Sequence, residues 1–309
     1  MKVYHKGKVV GSRELGFESE RAFHEVDIEL IATEAGLQSY RIVLDGLGDE
    51  LSLINNEKRI FIEVLDSREK ILLLSDAPHP DISAIKAAVE SRKNYDIDLF
   101  FADKPPETLD PYSLIILYQI PSKNPGNSNL LAEVFRTEKP LLFVLGKNSE
   151  MSVFNQIQPY LKIDSDKDMY NDVKAVFNDN FTLFNIGERE KSLIRNLPPL
   201  AVPFGNYEKP ALSEVLFFQE IASVESDFPL LLFVQDAVRK AAVVAGEGIW
   251  RWRLHTYKAE KSHQLFDELI GKMVQYLSLK EDKSRFRINA PKSLLENEDL
   301  IFSAEFYNE

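Results

Sequence analysis

The sequence predicts a multidomain β plus α/β protein, in which a small β-sandwich precedes a doubly wound, mainly parallel sheet and a short C-terminal β segment. Three observations lead to this prediction. Up to about residue 68, apolar and polar residues alternate with a period of two. Between residues 69 and 280, short apolar runs alternate with amphipathic segments, a pattern typical of strand–helix units. Beyond residue 280 a charged linker leads into another strand-like segment.

The first domain, residues 1–68, is predicted from strands that each have one apolar face. In residues 23–31 the apolar Val26, Ile28 and Leu30 alternate with acidic residues, as in an antiparallel strand with one face in water. Similar patterns recur further along this domain, separated by turn-forming glycine and asparagine residues. We therefore expect a small antiparallel β-sandwich without a helix.

The second domain, residues 69–280, is predicted from continuous apolar runs. Residues 70–76 and 139–146 are apolar enough to be strands buried on both faces of a sheet. A helix is expected from Pro80, because proline suits the first helical position. Residues 262–279 carry a continuous apolar stripe at helical spacing, so this long helix should pack on the sheet.

The alternation of strands and helices breaks down between residues 164 and 227. Here we expect strands at residues 172–184 and 214–223 and a loop at 197–203, which together suggest a β-rich insertion. Residues 281–309 are predicted to be a linker and the start of a further β domain. The chain is accordingly expected to be a piece of a longer protein.

Composition excludes several kinds of chemistry. The 309 residues are 44% apolar and include no cysteine, which excludes a thiol nucleophile, a disulfide framework and an iron–sulfur cluster. There are 49 acidic and 37 basic side chains, a net charge of −12, which argues against a broad nucleic-acid surface. No apolar run approaches the roughly 18–20 residues that a membrane span needs.

A family resemblance rests on three segments of the second domain. Residues 71–81 read Ile-Leu-Leu-Leu-Ser-Asp-Ala-Pro-His-Pro-Asp, a later strand ends at Gly146, and residues 245–253 read Ala-Gly-Glu-Gly-Ile-Trp-Arg-Trp-Arg. Residues 69–280 thereby resemble the class I glutamine amidotransferase-like fold. This resemblance implies a flavodoxin-like sheet, and the active enzymes of the family use a Cys–His–Glu triad.

The first domain also has a family resemblance, carried by residues 36–40 (Gly-Leu-Gln-Ser-Tyr) and by Asn55 and Asn56 before its final strand. It resembles bacterial immunoglobulin-like modules. The order of the two modules is similar to the extracytoplasmic portion of uncharacterised bacterial membrane-anchored proteins. The resemblance therefore implies a location at the periplasmic face of the inner membrane, with a cytoplasmic location as the alternative.

The catalytic positions of the amidotransferase family do not carry over to this sequence. In active members a cysteine lies on the tight turn after the elbow strand, where Lys147 and Asn148 stand here. In active members the histidine and glutamate follow a late strand. Here that segment contains Glu247 and no histidine. With two of three triad members missing, the resemblance implies a pseudoenzyme.

Polar residues that follow the predicted strands are candidates for a ligand site, because doubly wound folds bind ligands at this edge of the sheet. In the first strand-to-helix loop, His79 is a candidate general base or, with the carboxylates, a metal ligand. A structural alternative is that Pro78 and Pro80 stiffen the loop while His79 caps the following helix. The candidate ligand-binding residues are Asp76, His79, Asp81, Asp103, Lys147, Asn148 and Glu247. For a metal-assisted site, Asp76, His79, Asp103 and Glu247 should converge on one pocket.

Three further side chains have two interpretations each. If residues 250–255 are extended, Trp250 and Trp252 point to the same side and form an aromatic platform for a sugar or a partner chain. Alternatively, the two tryptophans close the edge of the core. Ser149 is a candidate nucleophile, but its sequence context favours the N-cap of the next helix.

The sequence favours a non-catalytic interaction, scaffold or sensing module, without a cofactor or a metal and without a nucleic-acid partner. Its partners are expected to be proteins of a cell-envelope assembly, and its membrane attachment to lie in segments flanking this chain. The oligomeric state is left open. The alternative is a metal-assisted hydrolase, or a domain that binds a small ligand or carbohydrate at the carboxyl edge of the sheet.

Overall fold

The computed structural model describes residues 1–14, 26, 28, 30, 36–44, 56–64, 68–124, 128–279, 286–289 and 303–306. The chain divides into two compact units, Met1–Arg68 and Glu69–Glu309. The strand predicted at residues 23–31 and the turn residue Asn55 lie largely or wholly outside the described residues.

The first unit contains a four-stranded antiparallel sheet. Its strands are β1 (Lys2–His5), β2 (Lys8–Ser12), β3 (Gly36–Val43) and β4 (Glu57–Val64), in the order β2-β1-β3-β4. Val3 and Tyr40 are buried on one face of this sheet, whereas Leu37 and Phe61 are exposed on the other. The antiparallel character is as predicted, and the immunoglobulin-like sandwich remains a prediction.

A nine-stranded sheet forms the centre of the second unit. Its order is β10-β9-β11-β12-β13-β8-β7-β5-β6. The strands are β5 (Glu69–Ser75), β6 (Tyr95–Phe101), β7 (Tyr112–Tyr118), β8 (Leu141–Val144), β9 (Lys162–Phe177), β10 (Leu200–Glu208), β11 (Ser213–Ile221), β12 (Val224–Gln235) and β13 (Lys240–Val244). Two further strands, β14 (Phe286–Asn289) and β15 (Ser303–Phe306), pair with each other antiparallel.

Helices cover both faces of the nine-stranded sheet, as the doubly wound prediction requires. They are α1 (Pro80–Glu90), α2 (Ser128–Arg136), α3 (Met151–Ile157), α4 (Glu188–Ile194), α5 (Ile249–Glu260) and α6 (Gln264–Ser278). One apolar cluster includes Ile85 of α1, Trp252 of α5 and Phe266 of α6. A second cluster includes Leu131 of α2 and Phe154 of α3. The α/β class is confirmed.

The prediction of a mainly parallel sheet is wrong, because the sheet is mixed. Strands β13, β8, β7, β5 and β6 run parallel to one another, whereas β12, β11, β9 and β10 are joined by antiparallel pairs. The region predicted as an insertion therefore extends the same sheet, and the loop predicted at residues 197–203 is wrong for residues 200–203, which belong to β10. A strand buried on both faces is uniformly apolar whichever way its neighbours run, so the apolar pattern cannot distinguish the two cases.

The extended structure assumed for residues 250–255 is also wrong, because these residues lie in α5. The buried residues of the helix are Ile249, Trp252 and Thr256, a spacing of three and four. Two alternating tryptophans are too short a pattern to outweigh this helical period. Within the described parts of the chain, no helix has the length and apolar character needed to cross a membrane.

Candidate functional site

A cleft lies at the carboxyl ends of four neighbouring parallel strands, β5, β7, β8 and β13. The segments that follow these strands meet at one edge of the sheet, where ligands bind in open α/β folds. The cleft has a volume of about 400 Å³. Its walls are formed by Ser75, Ala77, Pro78, His79, Tyr118, Gln119, Lys147, Asn148 and Glu247.

His79 occupies the N-cap position of α1, so the structural alternative for this residue is confirmed. Its Nδ1 accepts a hydrogen bond from the backbone N–H of Asp81 at 3.2 Å, and Pro80 begins the helix behind it. The imidazole stacks on the ring of Tyr118 with a centroid distance of 5.2 Å. Since 26% of the side chain remains exposed, His79 both fixes the start of α1 and forms a wall of the cleft.

Asp81 lies beneath the cleft and does not line it. Its side chain is completely buried, and its oxygens accept hydrogen bonds from the backbone N–H groups of Gly248 and Trp250, both at 2.8 Å. The Tyr118 hydroxyl donates to the same carboxyl group at 3.0 Å. Burial raises the pKa of Asp81, and the two backbone donors oppose this effect only in part. Asp81 thus joins the start of α1 to the start of α5.

Tyr118 and Gln119 were not predicted from the sequence. The Tyr118 hydroxyl lies 2.5 Å from His79 Nδ1 and accepts a hydrogen bond from Gln119 Nε2 at 3.0 Å. Burial and the neighbouring carboxyl groups of Asp81 and Glu247 raise the pKa of Tyr118, so it stays a neutral phenol. In the sequence Tyr118 is indistinguishable from the last apolar residue of a buried strand. Its place at the carboxyl end of that strand was the only available signal.

Gln119 connects three parts of the site. Its Nε2 donates to Glu247 Oε2 at 2.6 Å, and its Oε1 accepts from the backbone N–H of Asn148 at 3.1 Å. Glu247 Oε2 also accepts from the backbone N–H of Lys147 at 3.0 Å. Both side chains lie so close to Gly146 that a Cβ there would overlap them. The turn after β8 therefore directs two backbone donors at side chains of the chain itself.

The expected convergence of four metal ligands does not occur. Asp76 lies beside the cleft, where Asn148 Nδ2 donates to it at 2.8 Å, and His79 and Glu247 line the cleft. Asp103 is exposed in the turn after β6, an edge strand, and is not part of the cleft wall. Among the residues that the structure describes, no three His, Cys, Asp or Glu side chains gather closely enough to hold a metal ion.

The prediction that Ser149 caps α3 is wrong by one residue. Glu150 is the N-cap, and its carboxylate accepts from the backbone N–H of Ser152 at 3.3 Å. Ser149 is buried, and its Oγ accepts from the backbone N–H of Gly146 at 3.0 Å. The hydroxyl of Ser149 therefore closes the turn after β8, a use that competes with helix capping.

The two tryptophans do not form a platform. Trp252 is 4% exposed, and its indole N–H donates to the carbonyl of Pro198 at 2.7 Å. Trp250 is partly exposed and packs against the same apolar cluster. Residues two apart on a helix point in different directions, so the aromatic surface predicted for an extended segment is lost. The alternative interpretation, that the tryptophans close the edge of the core, holds for Trp252.

The site as a whole is a set of polar groups bonded mainly to one another. Hydrogen bonds link Tyr118, Gln119 and Glu247 in one chain across the cleft, and the ring of His79 stacks on Tyr118 at one end of this chain. Within the described residues, Glu247 Oε1 and His79 Nε2 have no hydrogen-bond partner. Such an arrangement can hold a polar ligand in a fixed orientation.

A scan against protein-family models and a search of curated proteins each found no match. Among solved structures, the chain is similar to a cytoplasmic protein from Salmonella typhimurium LT2, with 14% identity and a TM-score of 0.43 over 65% of this chain and 98% of that one. PurLQS from Thermotoga maritima has 12% identity and a TM-score of 0.39 over 67% and 99%. A β-galactosidase from Bacillus circulans sp. alkalophilus has 11% identity and a TM-score of 0.41 over 72% of this chain and 34% of its own. The match thus spans about a third of the β-galactosidase chain, and these likenesses assign neither a family nor an activity.

Proposed function

We propose that this chain is a non-catalytic interaction or sensing module whose second unit is a glutamine amidotransferase-like domain without the catalytic triad. The proposal rests on the hydrogen bonds that the turn after β8 makes with other side chains of the chain. The backbone N–H groups of Lys147 and Asn148 are bonded to Glu247 and Gln119 of the chain itself. In a working acyl-transfer site, backbone donors of this kind point at the substrate oxygen.

Displacing these internal acceptors would be costly. Glu247 Oε2 receives two donors, and hydrogen bonds to charged groups contribute about 1.5–3 kcal/mol each. A substrate carbonyl is a weaker acceptor than a carboxylate, so it would have to compete with Glu247 for the same N–H group. The absence of cysteine from the sequence agrees with this interpretation.

The setting that we propose is the bacterial cell envelope. The support is the resemblance of the first unit to immunoglobulin-like modules and the order of the two modules. In this proposal the chain works through protein partners outside the cytoplasm, and membrane attachment lies in flanking segments of the parent protein. Fusions of the complete reading frame to alkaline phosphatase, which is active only outside the cytoplasm, test it. We expect phosphatase activity, and an inactive fusion that accumulates as intact protein would contradict the location.

Turnover assays test the non-catalytic part of the proposal. We expect that the protein releases no more ammonia from glutamine, and hydrolyses no more of a nitrophenyl ester, than heat-denatured protein. Turnover above that level that falls by about tenfold in His79→Ser or Glu247→Gln would overturn the proposal. Serine is a good N-cap residue, so His79→Ser preserves the start of α1. Glu133→Gln, on the exposed face of α2, is the matched control.

A small-ligand function is the second candidate, because Glu247 and His79 line a cleft of suitable size and each keeps one polar atom, Oε1 and Nε2, without a partner among the described residues. Pockets for small molecules typically occupy about 300–1,000 Å³. The cleft, at about 400 Å³, lies at the lower end of that range. Ligand binding without turnover is compatible with a sensing module.

A further inference from the structure

Glu247 contributes an unneutralised charge to the cleft. Its Oε2 is held by the Lys147 N–H at 3.0 Å and by Gln119 Nε2 at 2.6 Å. In the part of the chain that the structure describes, no Lys, Arg or His side chain forms an ion pair with Glu247. The two neutral donors fix the carboxylate without cancelling its charge, and they leave Oε1 for a ligand.

Lys147, a basic residue of the cleft wall, places its ammonium group near the ring of Tyr170. Lys147 Nζ lies 6.0 Å from the ring centre of Tyr170, and the Tyr170 hydroxyl donates to the Lys147 carbonyl at 3.0 Å. Tyr170 lines a separate cavity of about 320 Å³ beside α3. Lys147 therefore forms no ion pair with Glu247 among the described residues, and the carboxylate of Glu247 is available to attract a cation.

The carboxylate is also pre-organised for binding. Gln119 is itself fixed at both ends, because its Oε1 accepts from the Asn148 N–H and its Nε2 donates to the Tyr118 hydroxyl as well as to Glu247. When a ligand pairs with Glu247 Oε1, no further side chain has to become ordered. Lower ordering cost favours binding of even a small ligand.

His79 supplies a second polar contact on the neighbouring wall. Its Nδ1 faces inward to Tyr118 and the start of α1, so its Nε2 is the nitrogen left for a ligand. Because Nδ1 accepts from the Asp81 N–H, the ring proton is on Nε2, which donates, and the oxygen of a hydroxyl group can accept from it. The ligand that complements both walls is therefore a small cation with a hydroxyl group.

We propose that the cleft binds a small amino alcohol, with its ammonium group on the Glu247 carboxylate and its hydroxyl group on His79 Nε2. This inference rests on the proposed function, because it treats the cleft as a site of binding without turnover. Its basis is the unpaired carboxylate oxygen of Glu247 and the ring nitrogen Nε2 of His79 on neighbouring walls of the cleft.

Four probes of similar size test the proposal: ethanolamine, ethylamine, ethylene glycol and glycolate. Nuclear magnetic resonance titration of the whole chain follows the backbone amide signals of Lys147 and Asn148 at probe concentrations up to about 100 mM, since ligands of so few atoms bind weakly. We expect ethanolamine to shift both signals in a saturable manner, ethylamine to bind more weakly, and ethylene glycol and glycolate to cause no saturable shift. Equal effects of ethanolamine and ethylene glycol, or no shift with any probe, would overturn the proposal.

Two variants assign the contacts. Glu247→Gln keeps the shape and the acceptor for Lys147 N–H but removes the charge, so ethanolamine affinity should fall by about tenfold or more. His79→Ser should abolish the preference for ethanolamine over ethylamine while binding of ethylamine persists. Glu133→Gln is the matched control and should bind as the unaltered protein does. Retention of ethanolamine binding in a folded Glu247→Gln protein would contradict the proposal.

An amino alcohol occurs free and as a lipid headgroup, so glycerophosphoethanolamine is compared with ethanolamine. We expect the free amino alcohol to bind better, because a phosphate group would lie close to the Glu247 carboxylate. Tighter binding of the phosphodiester would assign the cleft to the headgroup and overturn the choice of the free form. The ligand's own proton signals report turnover in the same samples. Consumed ethanolamine would overturn the proposed function, whereas unchanged ethanolamine with unshifted amide signals would overturn only this inference.

Discussion

The carboxyl group of Asp81 holds two helices together, and its burial between them makes it harder to ionise. It is completely buried, yet both oxygens accept backbone N–H groups at the start of α5 while its residue lies in the first turn of α1. Burial raises the pKa of this carboxyl group above its unfolded value. The folded protein therefore binds the proton of Asp81 more tightly than the unfolded chain does.

This difference predicts a pH dependence of stability. The contribution of the protonated form is fully present below the ordinary aspartate pKa and is lost as the pH rises through the raised folded value. As the pH rises above the ordinary aspartate value of 3.8, the unfolding free energy of the unaltered protein should therefore fall relative to that of Asp81→Asn, by about 1.4 kcal/mol for each unit of the rise in pKa. Urea titrations at several pH values measure this difference in unfolding free energy. Asp96→Asn, an exposed position on β6, is the control, and parallel pH profiles for all three proteins would contradict the prediction.

Gly146 offers a second test at the scale of single residues. A Cβ at this position would overlap Gln119 Nε2 and Glu247 Oε2. We expect Gly146→Ala to reduce the unfolding free energy by about 1–3 kcal/mol, the usual cost of overpacking. In a Gln119→Ala background the same substitution should cost less, because one of the two overlapping groups is gone. An equal cost in both backgrounds, measured by urea unfolding, would contradict this explanation.

At the scale of elements, Arg239 fastens α2 to the sheet. From the turn before β13, its guanidinium group donates to the carbonyls of Phe135 at 2.6 Å and Lys139 at 3.2 Å, and it lies 5.3 Å from the Phe135 ring centre. The Phe135 carbonyl belongs to the last turn of α2, where carbonyl groups lack helical partners.

Removing this group should therefore destabilise the protein. We expect Arg239→Met to lower the unfolding free energy by about 2–3 kcal/mol, because two carbonyls lose charged donors at a site that is 93% shielded from solvent. Arg239→Lys keeps the charge but not the planar guanidinium group, so its unfolding free energy should lie between those of Arg239→Met and the unaltered protein. If urea unfolding placed Arg239→Met within about 0.5 kcal/mol of the unaltered protein, as at an ordinary surface site, this role would be refuted.

The helical state of residues 249–260 predicts that the two tryptophans differ in solvent access. Trp252 is buried against Phe217, with ring centroids 6.0 Å apart, while Trp250 is partly exposed. In Trp250→Phe the remaining fluorescence should resist quenching by acrylamide. In Trp252→Phe the remaining fluorescence should be quenched more readily. Equal quenching in both variants would favour the extended arrangement instead.

The sequence predicted elements better than their connections. The apolar runs and amphipathic stripes correctly placed β5, α1 and α6, because burial sets both patterns. Local patterns could not show that β9 to β12 pair antiparallel, since pairing partners are distant in the chain. Of the seven candidate ligand-binding residues, four (His79, Lys147, Asn148 and Glu247) line the cleft. Tyr118 and Gln119 were not among the candidates, because a tyrosine that ends an apolar run resembles a core residue.

At the scale of the whole molecule, the second unit has its own core. Apolar clusters lie on both faces of one sheet, and each cluster is composed of residues from this unit alone. We therefore expect a chain that begins at Glu69 to unfold in one cooperative transition and to keep the amide signals of Lys147 and Asn148. Thermal unfolding and a two-dimensional amide spectrum test this. Loss of cooperative unfolding would show that the second unit depends on the first.

Strand β10 is one edge of the nine-stranded sheet, and its backbone is irregular. Its register against β9 shifts between Pro203 and Gly205, and Pro203 has no backbone N–H to offer. An additional strand laid along β10 would find neither an even spacing nor a complete row of donors. This edge should therefore resist templated growth, so concentrated protein should not convert into fibrils by adding strands there.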